Sequence, residues 1–169
     1  MSDNIDSPVT QLLNQRNITF DVIEIPLSED KKPIRNLEEL LTSEGRDPSS
    51  VVRSLLFKTG FGDFVLLGVA GSRRADWGVL RKHLDQRKLR MAEFDEVTKA
   101  TGYVVGAVPP IALPETIRVL LDKSVTDYSN VIIGSGVLGY ALVLSSKDLK
   151  TVMNVADIGD FVKPESAEN

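Results

Sequence analysis

A nearly all-apolar run, Phe64–Ala70, constrains the fold of this chain more than any other feature. A strand that is apolar on both faces belongs in the interior of a sheet, because both of its faces must be covered. Phe61, Gly62 and Asp63 come immediately before the run and have the composition of a hairpin turn. The β-type run over residues 51–58 is therefore expected to enter that hairpin, and the chain should be built around a sheet.

Alternating and helical patterns divide the rest of the chain into short strands and helices. Strands are predicted over residues 18–25, 89–91, 117–121, 130–133 and 140–144. Helices are predicted over residues 9–16, from an Asn36 cap to Gly45, from Asp76 to Leu84, over 93–100 with Phe94 and Val97 facing inward, and from a Ser146 cap to Val152. Strands outnumber helices and several connections are hairpins, which predicts an α+β fold with a largely antiparallel or mixed sheet.

The composition excludes several classes of protein. The length of 169 residues fits one domain, 1–169, with a polar tail over 163–169 that is expected to fray. The absence of cysteine excludes disulfides, thiol catalysis and a cysteine metal site. The chain starts with polar and acidic residues and has no apolar run of membrane-spanning length, which predicts a cytoplasmic protein. A net charge of −4 argues against a general DNA-coating protein.

Conventional catalytic constellations are not indicated. The single histidine, His83, stands beside Lys82 on a predicted helix, which is more typical of a surface residue than of a catalyst or ligand. No nucleophile elbow, Walker loop or metal-ligand spacing is present. The Gly134-Ser135-Gly136 segment is similar in composition to a phosphate-binding loop. It leads into a predicted strand, so the helix N-terminus that would hold an anion is missing. We therefore expect no metal and no cofactor.

A basic stretch lies between Arg73 and Arg90 in an otherwise acidic chain. It contains seven lysines and arginines, opposed by Asp76 and Asp85. Such a polarised surface is suited to phosphate groups, whereas a solvated helix face with scattered salt bridges would explain the same residues. Both interpretations remain open from the residues alone.

A loop rich in glycine and proline spans residues 101–110 and follows a predicted helix. Its glycines permit positive φ angles and close approach of another molecule to the backbone, while Pro109 and Pro110 make it stiff. The loop is suited to form one wall of a ligand site, although a tight structural turn would have the same composition.

Taken in order, several segments of the chain resemble the YbaK/prolyl-tRNA synthetase-associated family of trans-editing aminoacyl-tRNA deacylases. The segments are Val52-Arg53-Ser54-Leu55-Leu56-Phe57-Lys58, Gly71-Ser72-Arg73-Arg74-Ala75-Asp76, Lys88-Leu89-Arg90-Met91-Ala92, Thr101-Gly102-Tyr103, Gly106-Ala107-Val108-Pro109-Pro110, Asp122, and Gly134-Ser135-Gly136 with Gly139. The resemblance covers most of the chain, from the first strand to Ile158. It lies in the ordered combination, since no single segment is specific.

The resemblance implies a mixed, mostly antiparallel, β-barrel-like sheet surrounded by short helices. It also implies a pocket for the aminoacylated 3′ end of tRNA, where the ester of a small or apolar mischarged amino acid would be hydrolysed without a cofactor. An aminoacyl-tRNA synthetase is a second candidate partner, and neither DNA nor a membrane is expected.

The same resemblance assigns roles to individual residues. Arg53 would bind the terminal adenosine ribose or phosphate, and the backbone amides of Gly106 and Ala107 would hold the ester carbonyl, so these three form the implied catalytic group. The implied substrate-binding residues are Ser54, Thr101, Tyr103, Val108, Pro109, Gly134, Ser135 and Gly136. The implied contacts to tRNA phosphates are Arg73, Arg74, Arg81 and Lys82.

The chain departs from the family pattern inside the implied pocket. Arg53 stands where the family has a lysine, and an arginine cannot act as a general base. Lys58 follows at an odd spacing on the same strand and should point to the opposite face. Pro109 replaces a serine, and Ala141 replaces a residue that is frequently acidic. Three functions remain open: a deacylase, a catalytically inactive module that binds a nucleotide or an aminoacyl end, and a protein-interaction domain.

Overall fold

The computed structural model describes residues 5–30, 32, 37–153 and 157–164. The α-helices in these ranges are α1 (Pro8–Gln15), α2 (Leu37–Ser43), α3 (Trp77–Leu84), α4 (Phe94–Thr101) and α5 (Ser146–Val152). The strands are β1 (Asp21–Glu24), β2 (Val52–Thr59), β3 (Phe64–Ala70), β4 (Leu89–Met91), β5 (Arg118–Asp122), β6 (Asn130–Gly134), β7 (Tyr140–Ser145) and β8 (Asp157–Gly159). Short 3₁₀ helices span Pro48–Ser50 and Lys123–Asp127. No helix within the described ranges has the length and apolar character needed to cross a membrane.

Two sheets organise the described part of the chain. The larger has the strand order β4-β2-β3-β5-β8 and the smaller has the order β1-β7-β6. The β1–β7, β6–β7, β2–β3 and β2–β4 pairs are antiparallel, whereas the β3–β5 and β5–β8 pairs are parallel. A parallel bridge between Val51 and Ile132 connects the sheets where β2 begins. The predicted α+β class with mostly antiparallel pairing is confirmed, and the pairing is divided between two sheets that the described strands do not close into a barrel.

The central position of β3 follows from its apolar sequence. It lies between β2 and β5 in the larger sheet, and Leu67 faces Leu55 of β2 in the predicted hairpin. Leu66 and Leu67 are fully buried, as is Leu120 of β5. Burying each such side chain stabilises the fold by about 1.5–3 kcal/mol. The hairpin is therefore the rigid support on which the neighbouring loops are placed.

Helix α3 begins and ends as its sequence predicts. The Asp76 carboxylate accepts a hydrogen bond from the Val79 amide at 3.2 Å, which satisfies a donor in the first turn. The helix ends at Asp85, whose φ of +56° breaks the helical backbone. Leu80 and Leu84 pack into the core beneath the larger sheet. The basic residues that follow Leu80 are consequently left on the outer side of the helix.

Two local predictions are corrected by the structure. The cap of α5 is Ser145, whose hydroxyl accepts from the Asp148 amide at 2.9 Å, because the Ser146 hydroxyl donates to the Tyr128 carbonyl instead. Phe94 does not face the core: it is 76% exposed, since it is the first residue of α4 and projects beside the end of β4. The predicted Asn36 cap of α2 lies outside the described residues.

A C-terminal segment, residues 157–163, was not predicted as part of the sheet. Within it, β8 adds to the edge of the larger sheet as a parallel neighbour of β5. The buried Phe161 donates its amide to the Asp122 carboxylate at 2.8 Å, and the Lys163 amide donates to the Arg74 carbonyl at 2.9 Å. The short, polar β8 sequence carries no alternation, so its pairing depends on these tertiary contacts. Residues 165–169 of the predicted frayed tail lie outside the described ranges.

Candidate functional site

A cavity of about 360 Å³, which we call the apolar cavity, opens between the two sheets. Its walls come from β2, from β6 and β7, from the start of α4 and from the loop before Pro109. The lining residues are Ile25, Leu37, Val51, Val52, Arg53, Ser54, Leu56, Met91, Ala92, Phe94, Val97, Val105, Gly106, Val108, Ile132, Ile133, Gly134, Tyr140 and Ala141. None of these described residues is a carboxylate, a lysine or a histidine, so the cavity is suited to an uncharged aliphatic group.

Alternation along β2 places neighbouring side chains in two different cavities. Val52, Ser54 and Leu56 line the apolar cavity, whereas Leu55 and Phe57 line a second space of about 410 Å³. We call this second space the basic cavity, because its lining is Arg53, Leu55, Phe57, Ser72, Arg73, Arg74, Ala75, Trp77, Met91 and Lys163. Arg53 and Met91 border both spaces, so the two cavities adjoin.

Arg53 is anchored to the loop that follows β3. Its Nε donates to the carbonyl of Gly71 and its Nη2 donates to the carbonyl of Arg73, both at 2.5 Å. Partial desolvation of the anchored guanidinium lowers the pKa of Arg53, but an arginine remains protonated at physiological pH. The predicted pocket cation therefore stands at the border of the two cavities with two of its donors already used. Its contact with substrate stays a prediction.

The loop that precedes Pro109 forms one wall of the apolar cavity. Gly106 lines the cavity at a φ of +100°, a backbone conformation that favours glycine. The backbone amides of Val105, Gly106 and Val108 make no hydrogen bond within the described part of the chain. The Ala107 amide, by contrast, donates to the Val104 carbonyl at 3.0 Å, and Ala107 is almost fully buried outside the cavity. Gly106 is thus better placed than Ala107 to supply a backbone donor.

The glycine hairpin between β6 and β7 supports that loop from behind. Gly134 lines the apolar cavity, and a Cβ at this position would lie 2.5 Å from the carbonyl oxygen of Val108. The Gly136 amide donates to the Ala107 carbonyl at 2.9 Å. Ser135 is fully buried, with its hydroxyl within 2.9 Å of backbone carbonyls of the same hairpin. Gly136 therefore holds the loop and Ser135 braces the hairpin, and neither residue lines the cavity.

The remaining predicted substrate contacts also lie outside the apolar cavity. The Thr101 hydroxyl donates to the Val97 carbonyl at 2.7 Å and accepts from the Tyr103 amide at 3.1 Å. The Tyr103 hydroxyl donates to the Ala112 carbonyl at 2.6 Å, and burial raises the pKa of Tyr103. Pro109 is buried at the end of the loop. These three residues position the loop, while Ser54, Gly106, Val108 and Gly134 are the predicted substrate-site residues that line the cavity.

The four predicted phosphate contacts lie on two different surfaces. Arg73 and Arg74 line the basic cavity, next to the apolar one. Arg81 and Lys82 line a shallow depression on the outer side of α3 together with Arg87. His83, on the same helix, lies 3.4 Å from the Asp157 carboxylate at the surface. A single phosphate could reach the first pair or the second pair, but the two pairs face separate depressions.

Glu96 joins α4 to the edge of the larger sheet. Its carboxylate accepts from Arg90 at 2.8 and 2.9 Å, from the Glu93 amide at 2.9 Å and from Lys58 at 2.9 Å. Hydrogen bonds from Arg90 first, and then from Glu93 and Lys58, hold the pKa of Glu96 well below its ordinary value. Lys58 is thereby occupied on the strand face opposite to Arg53, where its odd spacing predicted it.

We expect Glu96→Gln to destabilise the protein most at neutral pH and least in strong acid. The pKa of Glu96 is lower in the folded than in the unfolded chain, so its ionised form stabilises the fold above the unfolded pKa, and this contribution is lost as the pH falls through the lowered value. Thermal unfolding midpoints of the variant and the wild type should therefore converge in acid. Glu115→Gln, at an exposed loop carboxylate, is the control. A difference that is constant with pH would show that Glu96 acts by packing alone.

Sequence reasoning missed three residues at the mouth of the apolar cavity. Phe94 is 76% exposed there, beside Met91 at 43% and Val105 at 40%. Exposed apolar side chains clustered around a cavity are typical of a ligand site. The sequence predicted that Phe94 faces the core, and only the packing of α4 against the strand edge places it at the mouth beside Met91 and Val105.

Comparison with known proteins agrees with this architecture. Residues 31–152 match the family model described as the aminoacyl-tRNA editing domain. The chain belongs to this family. The resemblance identified from the ordered segments is therefore confirmed. All the lining residues of the apolar cavity except Ile25 lie within the matched range.

Individual relatives show which proteins this chain is similar to. It is 32% identical over 112 residues to the proline–tRNA ligase of Thermotoga maritima, which covers 66% of this chain and 19% of the ligase. A solved hypothetical protein has a TM-score of 0.79 at 24% identity, covering 93% of this chain and 100% of its own. A candidate trans-editing enzyme for prolyl-tRNA synthetase has a TM-score of 0.77 at 25% identity, covering 93% and 96%. The chain spans about a fifth of the length of the ligase it matches.

Proposed function

We propose that this editing domain hydrolyses the ester that links a small or apolar amino acid to the 3′-terminal ribose of a mischarged tRNA. One observation carries the proposal: the apolar cavity adjoins a basic cavity at Arg53 and is bounded by Gly106, whose amide makes no hydrogen bond with the described residues. The aminoacylated end of a tRNA has the matching groups in the same order. An aliphatic side chain would match the apolar cavity, the ester carbonyl would match the Gly106 amide, and the phosphodiester chain would match the basic cavity.

Recognition of the acyl group would come from the aliphatic walls. Leu56, Ile132 and Ile133 offer apolar surface without a partner for a charged side chain. A charged side chain would lose its hydration there, which is unfavourable by several kcal/mol. Arg53, the one charged residue among the described lining residues, already donates to two backbone carbonyls. The cavity therefore selects for small or apolar side chains, and Ala141 keeps it apolar at a position where the family frequently has an acidic residue.

The chemistry would rely on backbone donors and water. A water oxygen attacks the ester carbonyl and the bond from the carbonyl carbon to the ribose oxygen breaks. The ribose oxygen takes up a proton to become a hydroxyl as the free amino acid leaves. The Gly106 amide would stabilise the negative charge that develops on the carbonyl oxygen. Because no carboxylate, lysine or histidine lines the described cavity, the proton must pass to solvent or to the substrate's own groups.

The names of the relatives support the choice of the first substrate to test. The first substrate to test is tRNA for proline that carries an amino acid other than proline, because the matched ligase and the candidate trans-editing enzyme both concern that tRNA. The domain would act in the cytoplasm, where tRNA is charged, either free or docked on a synthetase.

A second function has one observation in its favour. Arg53 replaces the lysine of the family and spends two donors on the Gly71 and Arg73 carbonyls. A domain without a general base in its cavity would bind an aminoacyl end or a nucleotide without turning it over. This alternative predicts affinity for aminoacyl-tRNA with no release of the amino acid.

A deacylation screen distinguishes the two functions. A panel of tRNAs, each charged with a different radiolabelled amino acid, is incubated with the full chain, and the remaining ester is counted over time. We expect loss of small or apolar aminoacyl groups and no loss of charged ones. Retention of every ester, with binding detected by filter capture, would support the binding module and contradict the deacylase.

Ser54→Ala tests the acyl site separately. The Ser54 hydroxyl is buried beside the apolar cavity and has no hydrogen-bond partner among the described residues, a situation that costs about 1–3 kcal/mol. Removing it should raise the free energy of unfolding by about 1 kcal/mol. If the hydroxyl donates to the bound ester, turnover of the Ser54→Ala variant should nevertheless fall about tenfold. This is the effect of losing one hydrogen bond between uncharged groups.

The matched control is Ser124→Ala. The Ser124 hydroxyl is also buried and unpartnered within the described chain, but it lies outside the apolar cavity. Chemical denaturation should show a similar gain in stability for both variants, and a deacylation assay should show a loss for Ser54→Ala alone. Equal turnover in the two variants would exclude Ser54 from substrate binding.

A further inference from the structure

We propose that the basic cavity is a binding site for a nucleotide phosphate, with Arg74 and Lys163 as the cations that contact it and Trp77 as part of its wall. The sequence assigned neither Trp77 nor Lys163 to a site. The proposal rests on the proposed function for one point, the source of the phosphate, which would be the 3′-terminal nucleotides of tRNA.

The charge of the basic cavity is the first observation. Four of its lining residues are cationic, namely Arg53, Arg73, Arg74 and Lys163, and none of its described lining residues is acidic. Like charges gathered around one space repel each other, and a bound anion would reduce that repulsion. In a chain with a net charge of −4, this gathering is not a consequence of composition.

The way in which Lys163 reaches the cavity is the second observation. It belongs to the C-terminal segment, whereas the arginines belong to β2 and to the loop after β3. The Lys163 amide donates to the Arg74 carbonyl at 2.9 Å, and Val162 forms a β-bridge with Ala75. These backbone contacts place two cations from distant parts of the chain at one cavity, although backbone pairing alone would accept uncharged side chains at both positions.

The position of the cavity indicates which part of a ligand would occupy it. Arg53 and Met91 line both cavities, so a molecule that lies across them could place a phosphate in one and an apolar group in the other. Trp77 packs edge-on against Phe57 with a ring separation of 5.1 Å and is only half-buried. A partly exposed ring beside cations is the combination that binds nucleotides through stacking and charge.

The single tryptophan of the chain makes this site directly observable. Adenosine 5′-monophosphate is titrated into the full chain while Trp77 emission is recorded, and calorimetry follows the same titration. We expect a change in emission with AMP and binding of adenosine that is about tenfold weaker or more, because a charge-assisted contact is lost. Equal affinity for AMP and adenosine, or binding that leaves the emission unchanged, would overturn the proposal.

Charge variants test the named residues. Arg74→Gln and Lys163→Gln should each weaken AMP binding about tenfold, and their backbone hydrogen bond should keep the fold intact by circular dichroism. Lys150→Gln is the matched control, since Lys150 is an exposed lysine of α5 that does not line the cavity. If all three variants bind AMP as the wild type does, the cavity does not hold the phosphate.

The source of the phosphate is resolved by a third probe. A cytidine-cytidine-adenosine trinucleotide that binds more tightly than AMP, with the same dependence on Arg74 and Lys163, identifies the tRNA end, whereas equal binding identifies a free nucleotide. Failure of every deacylation assay with charge-dependent AMP binding intact would refute the proposed hydrolysis and leave the phosphate site standing. Deacylation of tRNA that is unaffected by either variant would refute the phosphate site alone.

Discussion

Gly134→Ala is expected to lower the free energy of unfolding by about 3 kcal/mol, which is the upper end of the range for an overpacked site. It is also expected to abolish deacylation. The added Cβ would lie 2.5 Å from the carbonyl oxygen of Val108 and 3.0 Å from that of Ala107. Both contacts are with backbone, so no side-chain rotation relieves them. The loop that carries Gly106 must therefore move away from the hairpin, and the wall of the apolar cavity moves with it.

Gly78→Ala is the control for that substitution. Gly78 lies inside α3, and a Cβ there would meet nothing closer than the Asp76 carboxylate at 3.6 Å. The same change of residue should therefore stabilise the protein by about 0.5–1 kcal/mol, since alanine is the better helix former. Urea denaturation of the two variants should give shifts of opposite sign. A mild effect of Gly134→Ala would show that the loop is not held against the glycine hairpin.

Gly106→Val is expected to abolish turnover while the protein stays folded. Gly106 has a φ of +100°, and a Cβ there would lie 3.3 Å from the side chain of Leu138. A β-branched residue is strained in this conformation, at a cost of about 1–3 kcal/mol. Relief of the strain would turn the Gly106 amide away from the ester, so the rate should fall even where the fold persists. Single-turnover deacylation and thermal unfolding measure the two effects separately.

Gly62→Val separates backbone strain from a role in the site. Gly62 has a similar φ of +92°, but it lies in the β2–β3 hairpin turn with open space around it. It should lose a comparable amount of stability and keep full turnover. If Gly106→Val keeps full turnover, as Gly62→Val should, then the loop does not form the wall of the site, and the protein-interaction function is favoured.

Several elements could be predicted because their causes are local. The apolar run of β3 requires a central strand, the hairpin turn defines its neighbour, and the Asp76 side chain caps α3 through contacts within one turn. The positive φ of Gly106 also agrees with the composition of its loop. Such features depend on residues close in the chain, where steric and hydrogen-bonding preferences act without help from the rest of the fold.

Which residues line the site depends on contacts between distant parts of the chain. The sequence pointed to Ser54, Gly106, Val108 and Gly134, and these four line the apolar cavity. It did not reveal that six other predicted residues lie outside the cavity, because a sequence does not distinguish a residue that lines a cavity from one that supports its wall. These are Ala107, Thr101, Tyr103, Pro109, Ser135 and Gly136. The mouth residue Phe94 was predicted inside for a similar reason, since apolar character alone does not tell a core from a rim.

By itself, the sequence determined the α+β class, the central hairpin, the family and the stiff glycine loop. Each of these depends on local sequence patterns or on the order of segments along the chain. Only the tertiary structure decided that β2 divides its side chains between two cavities, that Arg53 is anchored at their border, and that Lys163 joins the arginines. The physical reason is that pairing across the sheets and packing of the C-terminal segment bring together residues far apart in the chain. No local preference encodes those contacts.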